Sequence, residues 1–252
     1  MEYSPQELMV AAAAREIRDG EVVFVGMRRP IIAFALAKRT HAPGAVGLFE
    51  NGIARDEPAH ELLYTMGDAP NIAGALWCTD MFNVMSLLAQ GAVQLGFIGG
   101  AQVDRYGNLN TSYIGDYHAP ATKLPGSGGA ADIASLSQRH VIMMEHERRR
   151  LVERVDYITS PGFGDGGDWR ARQGLIRGGP TALITTLGVF RFDAQTKTAL
   201  LASYHPFTSV DEIRAQTGWE LLVAPDAGPT PAPSAAELGV IREIDPHGFW
   251  TG

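Results

Sequence analysis

The chain has 252 residues, of which 45% are hydrophobic, 19% are charged and 8% are aromatic. An ordinary apolar content and a net charge of −7 exclude an intrinsically disordered chain, and the length allows a sizeable buried core. Acidic residues outnumber basic ones, which disfavours a nucleic-acid-binding protein, because such proteins usually carry a basic surplus.

The single cysteine, Cys78, excludes an intrachain disulfide and a metal site built from several cysteines. The N-terminal stretch lacks the basic region and apolar core of a signal peptide, and no run reaches the roughly 18 apolar residues that span a membrane. We therefore expect a soluble, cytosolic, globular protein. His140, Glu145 and His146 do not show a ligand spacing such as HExxH, so we expect no bound metal.

The hydrophobic pattern predicts short strands that alternate with helices. Ser4, Pro5 and Glu7 form a typical helix start, and Asp19 with Gly20 is a typical helix end. A proline-rich stretch at residues 225–234 is interpreted as a linker to a short C-terminal tail. The other predicted elements are strands at residues 21–26, 45–49, 95–100, 140–144 and 182–186, and helices at residues 30–39, 80–90, 131–136 and 211–216.

This alternation predicts an α/β fold: one domain, residues 1–252, with an open, mostly parallel sheet and helices on both faces. Ligands of such folds bind beyond the carboxyl ends of the strands. Three predicted strands end in unusual residues, at 26–29, 50–52 and 99–104. We expect these three ends to lie along one edge of the sheet.

Glu50 is the most informative of these residues, because it follows an apolar strand and precedes Asn51 and Gly52. This pattern predicts a tight turn in which the backbone of Glu50 is strained or left-handed. A partly desolvated carboxylate there would be a better nucleophile or general base. The alternative interpretation is a loop glutamate that caps a helix.

A glycine-rich stretch, residues 126–130, precedes the helix predicted at 131–136. Its backbone N–H groups could approach a phosphate or an oxyanion closely, although the stretch matches neither the Walker A nor the dinucleotide-binding pattern. A simple linker explains it equally well. The basic run at residues 148–150 could attract phosphates, but a solvated face or an interface is the more common role of such runs.

Longer blocks of sequence are more specific than these single motifs. The stretch 97–130 reads FIGGAQVDRYGNLNTSYIGDYHAPATKLPGSGGA, and MMEHERRR and VDYITSPGFGDGG follow it. Residues 50–52, Glu-Asn-Gly, stand at the position of the Glu-x-Gly active-site motif of the family that these blocks resemble. On these blocks the chain resembles the β subunits of family I CoA-transferases, and the resemblance extends from about Glu7 to Gly248.

The resemblance implies the fold shared by NagB, ribose-5-phosphate isomerase A and the CoA-transferases. It also implies an obligate homologous α subunit, an (αβ)2 or larger assembly, and an active site at the interface of the two subunits. Coenzyme A would be a substrate and not a permanently bound cofactor. The acyl group would come from a glutaconate-like or other short dicarboxylate.

The resemblance also implies roles for individual residues. Glu50 would be the nucleophile, and Asn51 beside it would contact the substrate or CoA. Residues assigned to the substrate and CoA site are Gly99, Gly100, Gln102, Gly128, Gly129 and Ala130, and the last three would line the acyl-CoA with N–H groups available as an oxyanion hole. The implied reaction is a ping-pong transfer through an acyl-glutamyl anhydride and a glutamyl-CoA thioester.

The chain departs from the family pattern after the first strand, where relatives usually carry a small, glycine-rich segment. Here the residues are Met27, Arg28, Arg29 and Pro30. Arg28 could bind a second carboxylate or a CoA phosphate bidentately, or it could face the α subunit.

Two other functions are compatible with this fold group. One is an acyl-CoA hydrolase or decarboxylase, in which the active-site glutamate is replaced; the presence of Glu50 argues for transfer. The other is an effector-binding domain of a transcription regulator, which the acidic charge and the lack of a recognisable helix-turn-helix segment disfavour.

Overall fold

The structure is a computed structural model that describes residues 3–252. Within these residues the helices are α1 (Pro5–Ala14), α2 (Arg29–Arg39), α3 (Ala69–Ile72), α4 (Met81–Ala89), α5 (Ala130–Leu136), α6 (Trp169–Arg172), α7 (Val210–Gln216) and α8 (Ala235–Ile244). The strands are β1 (Val22–Phe24), β2 (Val46–Phe49), β3 (Ile53–Arg55), β4 (Trp77–Cys78), β5 (Leu95–Ile98), β6 (Gln102–Val103), β7 (Leu109–Asn110), β8 (Tyr113–Gly115), β9 (Pro120–Lys123), β10 (Arg139–Met144), β11 (Pro180–Thr185), β12 (Gly188–Phe192), β13 (Ala199–Tyr204) and β14 (Leu222–Pro229).

The chain divides into two compact units. The first extends to Phe97 and also includes Pro231–Gly252, whereas the second comprises Ile98–Thr230. Compact units can belong to one domain or to two, so the expectation of a single domain stays a prediction.

The sheet of the first unit has the strand order β5-β1-β2-β3-β4. Strand β1 is parallel to both β2 and β5, and β3 and β4 add antiparallel pairs at the outer side. Val23, Phe24 and Leu48 on the parallel strands are at most 2% exposed, so these strands form part of the core. Their apolar, uninterrupted character is typical of strands that are buried on both faces.

Three helices of the first unit, α1, α2 and α8, pack against one another. Ser4 and Glu7 form the capping box that the sequence predicts at the start of α1. Glu7 is also ion-paired with Arg242 of α8, with 2.7 Å between Oε1 and Nε. One carboxylate therefore caps the first helix and ties the C-terminal helix to it.

The second unit has the strand order β14-β13-β12-β11-β10, together with the hairpins β6–β7 and β8–β9. Pairs β10–β11 and β13–β14 are parallel, and the two pairs between them are antiparallel. Helix α5 packs against β10. The predicted α/β class with an open sheet is confirmed, and the strands and helices named in the sequence analysis are present with bounds shifted by a few residues.

The linker predicted at residues 225–234 is wrong. Residues up to Pro229 belong to β14, which pairs in parallel with β13, and Ser234 caps α8 instead of leading into a tail. Because β14 is an edge strand with a neighbour on one side only, its prolines need not donate hydrogen bonds on the open side. Proline content alone therefore does not distinguish an edge strand from a linker.

In the part of the chain that the structure describes, no helix is both long and apolar enough to cross a bilayer.

Candidate active site

The parallel pair β1–β2 brings two predicted site segments to one edge of the first unit. Phe24 lies opposite Leu48, and the Val25 N–H donates to the Leu48 carbonyl at 2.8 Å. Gly26 and Glu50 therefore follow neighbouring strands at the same level. A Cβ on Gly26 would lie 2.9 Å from the Phe97 carbonyl oxygen, so a side chain is excluded where the chain leaves β1.

Glu50 begins the three-residue loop that joins β2 to β3, because Phe49 pairs with Ile53. The Gly52 N–H donates to the Phe49 carbonyl at 3.0 Å, and Gly52 has φ of +98°. This is the geometry of a turn closed by a residue in the left-handed region. The predicted tight turn is confirmed, but Gly52 and not Glu50 carries the left-handed backbone. Only glycine adopts that conformation without strain, so the strain predicted for Glu50 is unnecessary.

The loop is held from two sides. The Thr79 N–H donates to the Gly52 carbonyl at 2.8 Å, and a Cβ on Gly52 would lie only 2.3 Å from the Thr79 carbonyl oxygen. The exposed Asn51 donates from Nδ2 to the Met66 carbonyl at 2.6 Å. Glu50 itself is half-buried, so its carboxylate stands on a fixed backbone with partial access to solvent.

Arg55, at the end of β3, organises the loop that contacts Asn51. Arg55 is 1% exposed, and its guanidinium donates to carbonyl groups on both sides of that loop. Burial lowers the pKa of Arg55, and nearby acidic groups partly offset the effect. The accepting carbonyls are those of Glu57, Pro58, Pro70, Asn71 and Ala73.

Arg28 stands at the start of α2, two residues beyond Gly26. It is exposed, unlike the buried Val23 and Phe24 of β1, and its backbone has φ of +69° and ψ of −123°, a region that non-glycine residues rarely adopt. Its guanidinium carbon lies 5.6 Å from the centre of the Trp250 ring. The neighbouring Arg29 donates from Nε to the Trp250 carbonyl at 3.1 Å.

The other predicted site residues belong to the second unit. Gly99 and Gly100 follow β5, and a Cβ on either would lie 2.9 Å from a neighbouring atom, the Met143 carbonyl oxygen or the Leu109 side chain. Gln102 is 5% exposed, and its amide bonds the side chains of Asn110 and Asp156 at 2.8 and 3.1 Å. These contacts make Gln102 part of the internal structure of this unit.

The glycine-rich stretch forms the turn that begins α5. Gly126 and Gly128 have positive φ, of +98° and +49°, and Gly129 is the N-cap residue of the helix. The Ala130 N–H donates to the Ser127 carbonyl at 3.1 Å, so this amide is engaged inside the loop. Gly128, by contrast, donates no backbone hydrogen bond to any other residue that the structure describes.

Asp104, the last residue of the predicted segment 99–104, is a buried acid to which the sequence analysis assigned no role of its own. Its Oδ1 accepts the N–H groups of Tyr106 and Asn108 at 3.0 and 3.1 Å, which fixes the turn between β6 and β7. Burial raises its pKa to about 6, although hydrogen bonds from Asn108 and Tyr106 lower it in part. An adjacent cavity of about 510 Å³ is lined by Arg105, Arg154 and other residues of the second unit, most of them polar. The signal was the turn sequence Asp-Arg-Tyr-Gly-Asn between the apolar residues Val103 and Leu109.

The basic run at residues 148–150 is engaged within the second unit. Arg149 and Arg150 pair with Glu147, and Arg148 donates to the carbonyls of Ala215 and Thr217. Within residues 3–252, no three or more His, Cys, Asp or Glu side chains are grouped so that they could hold a metal ion.

Comparison with known proteins identifies the class to which this fold and site belong. The family described as "Coenzyme A transferase" matches residues 6–216, and the chain belongs to this family. It is similar to the β subunit of glutaconate CoA-transferase from Acidaminococcus fermentans, with 39% identity over 97% of this chain and 93% of that one. The crystal structure of that enzyme superposes with a TM-score of 0.92 at 36% identity, covering 99% of this chain and 97% of the other.

Two further similar proteins show that more than one activity occurs among the relatives of this chain. The β subunit of 3-oxoadipate CoA-transferase from Pseudomonas knackmussii is 36% identical over 96% of this chain and 94% of that one. The decarboxylase AibA/AibB superposes with a TM-score of 0.85 at 31% identity, covering 98% of this chain and 97% of the other. The chain is thus the β subunit of a family I CoA-transferase, a heteromeric transferase that uses CoA as a substrate.

Sequence reasoning found the loop of Glu50 but missed the residues that fix it. A single arginine at a strand end is usually exposed, and nothing in the sequence marks Arg55 as a buried one. Trp250 lies far along the chain from Arg28, and only the folded structure brings the two together.

Proposed function

We propose that this subunit carries the nucleophile of a CoA-transferase, and that Glu50 forms a covalent glutamyl-CoA thioester during transfer. The observation that carries the proposal is the place of Glu50. It stands on a fixed loop at the carboxyl end of β2, beside the end of β1, in a chain of the CoA-transferase family. Ligands of open α/β sheets bind at such strand ends.

The proposed reaction has two steps in each direction: Glu50 displaces CoA from the acyl group, and the CoA thiolate then displaces the acid from Glu50. Neither step requires a net proton transfer. A Glu50 carboxylate oxygen attacks the thioester carbonyl of the acyl-CoA, the C–S bond breaks, and CoA leaves as a thiolate. The thiolate then attacks the Glu50 carboxyl carbon of the resulting anhydride, which releases the first acid as a carboxylate. The acceptor carboxylate repeats the two steps in reverse and restores Glu50. One negative charge passes from group to group throughout.

Backbone donors near the developing oxyanion would stabilise each tetrahedral intermediate, and the loss of one such donor costs about 2.7–4 kcal/mol. Gly128, Gly129 and Ala130 are the proposed acyl-CoA contacts of the second unit. The Ala130 amide would first have to leave its bond to the Ser127 carbonyl, so Gly128 is the better candidate for an oxyanion donor. Gly99, Gly100 and Gln102 would support this region from within the fold.

The proposed acids are short dicarboxylates. Two similar proteins are named for glutaconate and 3-oxoadipate, which both carry a second carboxylate. Arg28 supplies a guanidinium beyond the end of β1, and guanidinium groups bind carboxylates bidentately. Asn51 donates to Met66 and so would orient the loop of Glu50 and not the acid itself.

The proposed partner is a homologous α subunit that completes the site, in an (αβ)2 or larger assembly. A run of exposed apolar side chains adjoins the loop of Glu50 and supports a partner for the first unit, because extended apolar surface usually marks an interaction site. Thr79, which bonds Gly52, lies within this run. The exposed side chains are Ile72, Leu76, Trp77, Met81 and Phe82.

Hydrolysis or decarboxylation of an acyl-CoA is the alternative, because one similar structure is described as a decarboxylase. The test measures the release of glutaconate from glutaconyl-CoA by the complex with the α subunit, with and without added acetate. Transfer predicts that sustained release requires the acid and that acetyl-CoA appears in equal amount. Sustained release at the same rate without acetate would reject transfer in favour of hydrolysis.

A further inference from the structure

Arg28 has a backbone conformation that must be held by its surroundings. Among the described residues, only Arg28 and Lys197 are non-glycine residues with positive φ. Left to itself, an arginine would relax to negative φ, and the guanidinium would then project in another direction. Such conformations persist when neighbouring contacts fix them, and they are concentrated at functional sites.

Trp250 supplies these contacts. Its ring lies under the Arg28 guanidinium, 5.6 Å from the guanidinium carbon to the ring centre, in the range of cation–π attraction. Its backbone carbonyl accepts a hydrogen bond from Nε of Arg29 at 3.1 Å. One residue therefore contacts two successive arginines, one through its ring and the other through its main chain.

Trp250 is itself fixed by the C-terminal segment, which we call the C-terminal clasp and define as residues 245–251. Asp245, 2% exposed, accepts the N–H groups of Trp250 and Thr251 through Oδ2 at 2.8 and 3.0 Å. The indole N–H of Trp250 donates to the Leu63 carbonyl at 3.1 Å. Phe249 packs edge-to-face on Trp250, with ring centres 4.6 Å apart.

The clasp thus joins the two segments that flank the loop of Glu50. Arg28 follows β1, which is the neighbour of the strand that ends at Glu50. Leu63 belongs to the loop whose Met66 carbonyl accepts the Asn51 side chain. The C-terminal segment therefore belongs structurally to the candidate site, although it is the most distant part of the chain in sequence.

We infer that Trp250 is a positioning residue, which holds the Arg28 guanidinium above its ring so that Arg28 selects acids that carry a second carboxylate. The inference deepens the proposed function and rests on it. Because Trp250 acts through Arg28, its removal should affect the binding of dicarboxylates and leave the chemistry at Glu50 unchanged.

The test compares Trp250→Ala, Trp250→Phe, Arg28→Ala and the double variant, each in the complex with the α subunit. The acceptors are glutarate and pentanoate, which have equal chain length and differ in the second carboxylate. Trp250→Ala should raise the KM for glutarate roughly two- to tenfold and leave kcat and the KM for pentanoate unchanged. Trp250→Phe, which keeps a ring, should lie between this variant and the unmodified enzyme. The double variant should be no worse than Arg28→Ala, because residues that act as one unit are not additive.

Phe207→Ala is the matched control, an aromatic truncation at a half-exposed position of the second unit. Calorimetric titration of the complex with glutarate repeats the comparison without turnover, so it remains valid if Glu50 fails as the nucleophile. Equal changes in KM for both acids, or additive effects in the double variant, would overturn the inference while leaving transfer through Glu50 intact. If Trp250→Ala fails to fold, Trp250→Phe and Arg28→Ala provide the test. An Arg28→Ala enzyme that keeps the same preference between glutarate and pentanoate would overturn the inference.

Discussion

At the scale of single residues, the candidate site depends on Gly52, a position at which the backbone accepts only glycine. Gly52 combines φ of +98° with a close approach of the Thr79 carbonyl. Both features arise because the loop of Glu50 packs directly against the chain between β4 and α4. The conformation of this glycine therefore decides where the Glu50 carboxylate stands.

Gly52→Ala should lower the free energy of unfolding by about 2–6 kcal/mol, since strain at positive φ and a forced backbone shift each cost about 1–3 kcal/mol. Urea unfolding measures the change, and the rate of CoA transfer should fall with it as Glu50 is displaced. Gly126→Ala is the control, because Gly126 has the same φ of +98° and open space around it. Equal losses in the two variants would show that the contact with Thr79 is unimportant.

Sequence reasoning succeeded at Glu50 because short-range chemistry determines the loop. Asn51 and Gly52 after an apolar strand specify a tight turn, and the only error was to assign the left-handed backbone to Glu50. It could not find Trp250, because the contact with Arg28 depends on the folded path of the whole C-terminal segment.

At the scale of secondary-structure elements, the apolar strands with glycine stops were predictable, and the short or amphipathic ones were not. β4, with two exposed residues, and the hairpins β6–β7 and β8–β9 carry no run long enough to show a period. β14 was interpreted as a linker because its prolines suggested irregular structure. Its pairing with β13 depends on a neighbour that the local sequence does not reveal.

The sheet of the second unit also predicts how stability depends on pH. Burial lowers the pKa of His140 to about 3, with the charge of Arg170 adding to the effect, and burial lowers the pKa of His146 and His205 to about 4. The ordinary value is 6.5, so below it the unfolded chain binds protons that the folded chain does not. The free energy of unfolding should therefore fall as the pH drops from about 6.5 towards 4, by up to about 1.4 kcal/mol per unit for each histidine.

Asp104 acts in the opposite sense, because burial raises its folded-state pKa to about 6 and its protonation stabilises the folded chain between about pH 4 and 6. Over this range Asp104 offsets the loss of unfolding free energy that one of the three histidines causes. Urea unfolding at pH 7, 6 and 5 measures the net fall. In His146→Gln, an amide can keep the contacts with Thr185 and Thr217, and the fall should be shallower. A free energy that is constant or higher at pH 5 would contradict this account.

At the scale of the whole molecule, the chain is one subunit of a heteromeric transferase. The purified chain should be inactive alone and should gain activity with the α subunit. Phe82→Glu should weaken association with the α subunit roughly tenfold or more, because it places a charge in the exposed apolar run beside the loop of Glu50. Ile176→Glu is the control, since Phe82 and Ile176 are 83% and 81% exposed. Full activity of the isolated chain, or equal weakening by both variants, would contradict this prediction.

The most direct test of the account is to trap the covalent intermediate on Glu50. The complex with the α subunit is incubated with acyl-CoA in the absence of an acceptor acid, and borohydride then reduces a glutamyl thioester to an alcohol. Peptide mass mapping should place this change at Glu50, and Glu50→Ala should show neither the change nor transfer. Glu50→Asp should also be badly impaired, because a shorter side chain cannot hold the reacting atoms at attack distance. Modification at another residue, or acyl-CoA turnover at full rate in Glu50→Ala, would contradict the account.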